Sequence, residues 1–192
     1  MPFAFGRPSG SRALDLVNTL DWRDDPARRV ELLPTTEALA AWARHTGAPG
    51  PISRNIREGR QRARAIALRE TLAPIFRAVT DGHPPPPEAA SRLARWVRDA
   101  WDHRELAGRG GTVSWQWKKD TDPADQVLFD TALDGAALLV APGRERLRLC
   151  GGEGCGWFFI DRSKAGRRRW CSMASCGNRA KVRRYRRRVA RG

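Results

Sequence analysis

The sequence predicts a mainly α fold with minor β: a mostly helical N-terminal body over residues 1–142, then a small four-cysteine module over residues 143–192, in which a β-hairpin is followed by a basic helix. Three observations predict it. Apolar residues recur at three- and four-residue spacing through most of the first 142 positions. All four cysteines fall between Cys150 and Cys176. Residues 144–192 hold 16 Lys and Arg against three acids, a net of +13 out of the chain's formal +15. At 192 residues, 41% hydrophobic and with eight Trp, the chain can bury a real core, which excludes wholesale disorder.

In the body, Leu14, Val17 and Leu20 form a short helical face, closed by the turn residues of Asp21-Trp22-Arg23-Asp24-Asp25-Pro26. A second helix starts at Thr35 or Thr36, whose hydroxyl can cap it, and turns Leu39 and Trp42 inward before Gly47-Ala48-Pro49-Gly50-Pro51 breaks the pattern. From Ser53 to Thr80 a long helix is expected. Its apolar stripe includes Ile56, Ala63, Ile66, Ala67, Leu72, Ile75, Phe76 and Val79, with Arg on the other side and Pro74 kinking or dividing it. The run Pro84-Pro85-Pro86-Pro87 is a stiff linker. A helix over Glu88–Leu106 follows, burying Leu93, Trp96, Val97, Ala100 and Trp101. After a Gly108–Gly111 turn, Val113, Trp115 and Trp117 alternate as in a half-buried strand, with core packing favoured over ligand stacking for the two Trp. Asp122-Pro123 reads as a cap with proline at the first helical position, opening a last body helix through Val127, Leu128, Leu133 and Leu138.

The module is entered through the alternating Arg146-Leu147-Arg148-Leu149-Cys150. Its cysteines are spaced C-x4-C, fifteen residues, C-x4-C, which in a chain without an export signal reads as a tetrahedral zinc site formed by Cys150, Cys155, Cys171 and Cys176. A pair of disulfides in one of three connectivities is the alternative. The glycines from Gly151 to Gly156 suit a tight turn whose amides approach metal-bound sulfur. Lacking much other core, the module is expected to unfold without zinc. Beyond Cys176, Val182, Tyr185 and Val189 mark one stripe of a helix, expected to dock on the zinc core, with Arg over most of the rest. A concentrated basic segment on a near-neutral body points to a polyanion. Arg167, Arg168, Arg169, Asn178, Arg179, Lys181, Arg183, Arg184, Arg186, Arg187 and Arg188 are the expected nucleic-acid contacts, Arg183, Arg184, Arg186, Arg187 and Arg188 mainly to phosphates. Asn178 can cap the helix, and Arg179 can reach a phosphate or guanine, or else offset the charge of a four-thiolate centre.

Cys176-Gly177-Asn178-Arg179 is the tetrapeptide that names the CGNR zinc finger. Phe158-Phe159-Ile160-Asp161-Arg162-Ser163, Arg168-Arg169-Trp170-Cys171-Ser172-Met173 and Ala180-Lys181 resemble that family's pattern too. Upstream, Leu14-Asp15-Leu16-Val17-Asn18-Thr19-Leu20 and Leu39-Ala40-Ala41-Trp42 resemble the ABATE domain, the usual companion of that finger. The resemblance implies a stress-linked bacterial transcription regulator that binds DNA through the finger, with the four cysteines as zinc ligands.

Nothing in the chain points to catalysis. His45, His83 and His103 are scattered away from the cysteines, and no nucleophile elbow, phosphate loop, H-E-x-x-H or dinucleotide fingerprint is present, so the chain is expected not to be an enzyme. With no apolar run near the ~18 residues of a membrane span and no secretory signal, a soluble cytoplasmic protein without a membrane partner is expected. The leading function is a regulator whose finger contacts double-stranded DNA while the body senses a small molecule or forms a homodimer. An RNA-binding protein and a zinc-dependent protein-interaction module are the alternatives.

Overall fold

The computed structural model describes residues 5–6, 9–47 and 59–190. Helix α1 (Arg12–Val17) opens at Ser11, whose hydroxyl accepts from the Leu14 amide and donates to Asp134 at 2.7 Å. It is shorter than its periodicity predicts: Asn18 ends it, and Leu20 enters the two-residue strand β1 (Leu20–Asp21), which pairs with β2 (Val30–Glu31). Helix α2 (Thr36–His45) begins as expected, with Thr35 as its cap and Leu39 and Trp42 buried.

Helix α3 (Arg60–Thr80) runs through Pro74 without division. A proline removes one backbone donor, and the burial of Leu72, Ile75 and Phe76 around it offsets that loss. The part of the expected helix before Gly59, Ile56 included, lies outside the described residues. The buried face also differs from the predicted stripe: Ala63 and Ala67 are exposed, while Ala65, Leu68 and Arg69 turn inward. Arg69 is buried because its charge is matched. It grips both carboxylate oxygens of Glu31 at 2.7 Å, reaches Glu70 at 2.7 Å, and touches Thr19, so it staples the β1–β2 hairpin to α3. Burial pushes the Glu31 and Glu70 carboxyls up. Hydrogen bonds and charge from Arg69, joined at Glu70 by Arg23, outweigh this and hold both below the usual range.

Helix α4 (Pro87–Asp102) stops four residues short of the expected Leu106. Residues Arg104–Arg109 instead form β3, paired antiparallel with β4 (Thr112–Trp117) around Gly110-Gly111. The β4 strand is not half-buried as predicted. Trp117 stacks on Phe129 and is partly covered, but Trp115 lies half exposed against the edge of Trp101, and Leu106 and Val113 face solvent. Helix α5 (Pro123–Val140) starts at the Asp122 cap and packs on α1, α3 and α4.

Strands β5 (Leu147–Leu149) and β6 (Phe158–Ile160) pair antiparallel and form the expected hairpin of the module. Leu147 and Phe158 belong to the same apolar cluster as Leu14, Leu72 and Phe76, so the hairpin is an extension of the body's core. A buried amide fixes the join: the Asn18 side chain donates to the Phe158 carbonyl at 2.9 Å and accepts from its N–H at 2.8 Å, as a neighbouring strand would. The chain ends in a turn of π-helix (Met173–Gly177) that leads without a break into α6 (Asn178–Val189). No helix among the described residues is long and apolar enough to cross a membrane.

Candidate metal centre and nucleic-acid interface

The β5–β6 hairpin delivers Cys150 and Cys155 on its connecting loop, and the π-helical turn carries Cys176 back to them with Cys171 just ahead of it. Three of the four are buried and Cys171 is partly covered. All four sulfurs lie within 4.8 Å of one another, with Cys155–Cys171 at 3.8 Å and Cys171–Cys176 at 3.6 Å. A disulfide needs about 2.05 Å. A tetrahedron of sulfurs about 2.3 Å from a central zinc has edges of about 3.8 Å. The sulfurs therefore sit where a Zn2+ ion would draw them, and no disulfide links them. Among the described residues this is the one group of metal-donor side chains so gathered.

The surrounding groups suit thiolates. The Gly152 and Cys171 amides point at Cys150 Sγ, at 3.4 and 3.3 Å. A Cβ on residue 152 would come 2.9 Å from Cys176 Sγ, which is why glycine stands there. Arg179 donates to Cys176 Sγ at 2.9 Å. Hydrogen bonds from Cys155 and Cys171 hold the Cys150 thiol well below its ordinary range, while their bonds to Cys150 push Cys155 and Cys171 up. Zinc, by binding all four as thiolates, supplies the cross-link that proton sharing cannot.

Several residues outside the cysteines hold this centre in place, Asp161 in the turn that the sequence spells and Trp22 without any signal in it. Asp161 is fully buried and accepts from the Ser163 amide at 2.9 Å and the Arg168 amide at 2.8 Å, bonds that keep its carboxyl below the ordinary range. The i to i+2 bond to Ser163 closes the turn that an Asp two residues before a Ser favours. Trp22, at a φ of 52°, lies under the Arg179 guanidinium at 4.6 Å and the Arg28 guanidinium at 3.8 Å, and no local signal marks it. Gly154 presses on Asp25 and Arg28 at a φ of +74°, leaving no room for a side chain. Loop 22–29 is itself tied to α3 by the Arg23–Glu70 and Arg77–Asp24 ion pairs.

The expected nucleic-acid residues divide by surroundings. Arg168 donates to the Trp170 and Cys171 carbonyls and lies over Phe159, Arg183 pairs with Glu153, and Arg179 is at the sulfurs. Arg169 lies over Trp170, and Arg188 beside Tyr185. Arg167, Lys181, Arg184, Arg186 and Arg187 are exposed. Asn178 does not cap α6. The π-helical turn already supplies the preceding helical carbonyls, so Asn178 takes helical backbone angles and its side chain donates back to Ala174. Nor does the apolar stripe dock: Val182, Tyr185 and Val189 are 49%, 60% and 61% exposed, and the main packing of α6 is on the π-helical turn ahead of it.

Two family profiles match the chain. One, the CGNR zinc finger, covers residues 146–189, and the other, ABATE, described as "Putative stress-induced transcription regulator", covers residues 10–142. No curated protein matches it. The cysteine cluster is thus the metal centre of a CGNR finger, and the chain belongs to the ABATE family, whose domain here precedes that finger.

Proposed function

We propose that this protein is a double-stranded DNA-binding transcription regulator that acts by binding and not by catalysis. One observation carries the reading: α6, with seven Lys and Arg from Arg179 to Arg188, grows directly out of a four-cysteine centre whose β5–β6 hairpin is built into the body's core. A helix so charged is held in one orientation by zinc and hairpin, with most of its guanidiniums facing solvent. Phosphates are the ligand such a surface fits, and a fixed helix can enter a groove. The family's description supports the regulatory part. The body is the part that meets a second copy, a role supported by the exposed Leu106, Val113 and Trp115 on one face of the β3–β4 hairpin.

In vitro selection from random duplex DNA at physiological salt, with zinc-loaded full chain, tests the reading. An enriched motif is expected, and a two-fold-symmetric one if copies pair. Binding that is only steeply salt-sensitive and without enrichment refutes sequence reading. Preference for structured RNA, or nuclease-resistant capture of an acidic protein, turns the assignment to those partners.

A further inference from the structure

Between α6 and the cysteine centre runs a groove open to solvent. One wall is a single helix face, Ala180, Arg183, Arg184, Arg187 and Arg188, at the i, i+3, i+4, i+7, i+8 spacing of one side of a helix. The other wall is Gly151, Arg169 and Trp170, with Trp170 backed by the cysteine cluster. Five guanidiniums thus converge from two separate segments. Among the described residues, no carboxylate lines the groove or pairs with Arg184, Arg187 or Arg188, and only Arg183 is engaged, by an ion pair with Glu153 outside the lining. Gathering like charges around a concave surface raises the local positive potential, and an anionic chain relieves it. Along α6, Arg183 and Arg187, like Arg184 and Arg188, stand about 6 Å apart, four residues at 1.5 Å each. A strand lying lengthwise meets a pair of guanidiniums at each turn, with Ala180 leaving room at the entrance and the Trp170 ring offering an apolar surface to sugar.

We propose that this groove, and not the Val182/Tyr185/Val189 side of α6, seats one sugar–phosphate strand of bound DNA. Glu153 is an internal competitor that holds Arg183 until a phosphate displaces it. The inference rests on the DNA-binding reading above and adds the face and the register.

The test is fluorescence anisotropy of a labelled random-sequence duplex with zinc-loaded full chain across a salt series, with zinc content and far-UV circular dichroism confirming each variant. R184Q/R187Q and K181Q/R186Q remove the same charge, but only the first pair lines the groove. The groove pair is expected to reduce the slope of log K against log[salt] by about 1.8, at about 0.9 per lost phosphate contact, and the control pair by well under 1. E153Q is expected to tighten binding severalfold, most at low salt. Equal losses from both pairs, or a larger loss from K181Q/R186Q, overturn the groove while leaving DNA binding intact. A wild-type chain that binds no duplex at any salt overturns both readings together.

Discussion

Asn18 and Arg69 show how single polar side chains assemble this molecule. Asn18 stands in for a strand against Phe158, so N18A leaves a buried N–H and C=O unpaired; a loss of about 2–4 kcal/mol is expected in urea denaturation of the zinc-loaded chain. Arg69 neutralises two carboxylates, and R69M is expected to cost about 3 kcal/mol in the same measurement. It also sets a pH dependence. Glu31 and Glu70 have folded-state pKa values below the ordinary ~4.3, so their contribution is complete above that value and drains away as pH falls through the lowered ones. Thermal melts of wild type are therefore expected to lose stability on acidification below about pH 4.3, and those of R69M to lose less. Neither residue announced itself in the sequence. Arg69 reads as solvated because Glu31, which it grips with two nitrogens, lies 38 residues away, and the Asn18–Phe158 pair spans 140. Cysteines declare a shared ligand by type and spacing; an arginine or asparagine declares nothing about its partner.

At the scale of elements, caps and breakers were the legible signals. Thr35 and Asp122-Pro123 opened helices where expected, and the alternation before Cys150 gave β5. Two kinds of misreading remain, and both are physical. Arg104–Arg109 continues a helical apolar pattern through Leu106, yet pairing with β4 across Gly110-Gly111 outweighs it. The stripe on α6 is correctly periodic but uncovered: spacing says which residues share a face, and only tertiary structure says whether anything lies on that face. The metal belongs to this scale too. β5 and β6 insert into the body's core through Leu147 and Phe158, whereas the loop bearing Cys155 and the turn bearing Cys176 meet at the sulfurs. Chelation of the full chain is therefore expected to release α6 and the cysteine loops, seen as lost helical ellipticity and protease cleavage after Cys155, while the body's melting transition survives.

Across the whole molecule, positive charge is concentrated at one end, in residues 144–192. The +13 of residues 144–192 would drive two copies apart if their fingers faced each other, while the near-neutral body carries the exposed hairpin face. Sedimentation equilibrium is expected to show a concentration-dependent dimer that L106S/W115S shifts to monomer, with zinc content unchanged. A monomer at all concentrations in wild type refutes pairing through this face.

The insertion of β5–β6 into the body leaves the finger no swivel. Where many reader modules hang on slack tethers and tolerate variable gaps between their targets, this one is bolted to its frame, so under the proposed function a pair of copies is expected to work as a ruler of fixed length and phase. One added base pair between half-sites turns the second about 34° around the duplex axis, at 10–10.5 base pairs per turn, and the join of the hairpin to the body, through Leu147, Phe158 and Asn18, is not a slack tether that could absorb it. Only spacers differing by a full helical turn present both targets on the same side.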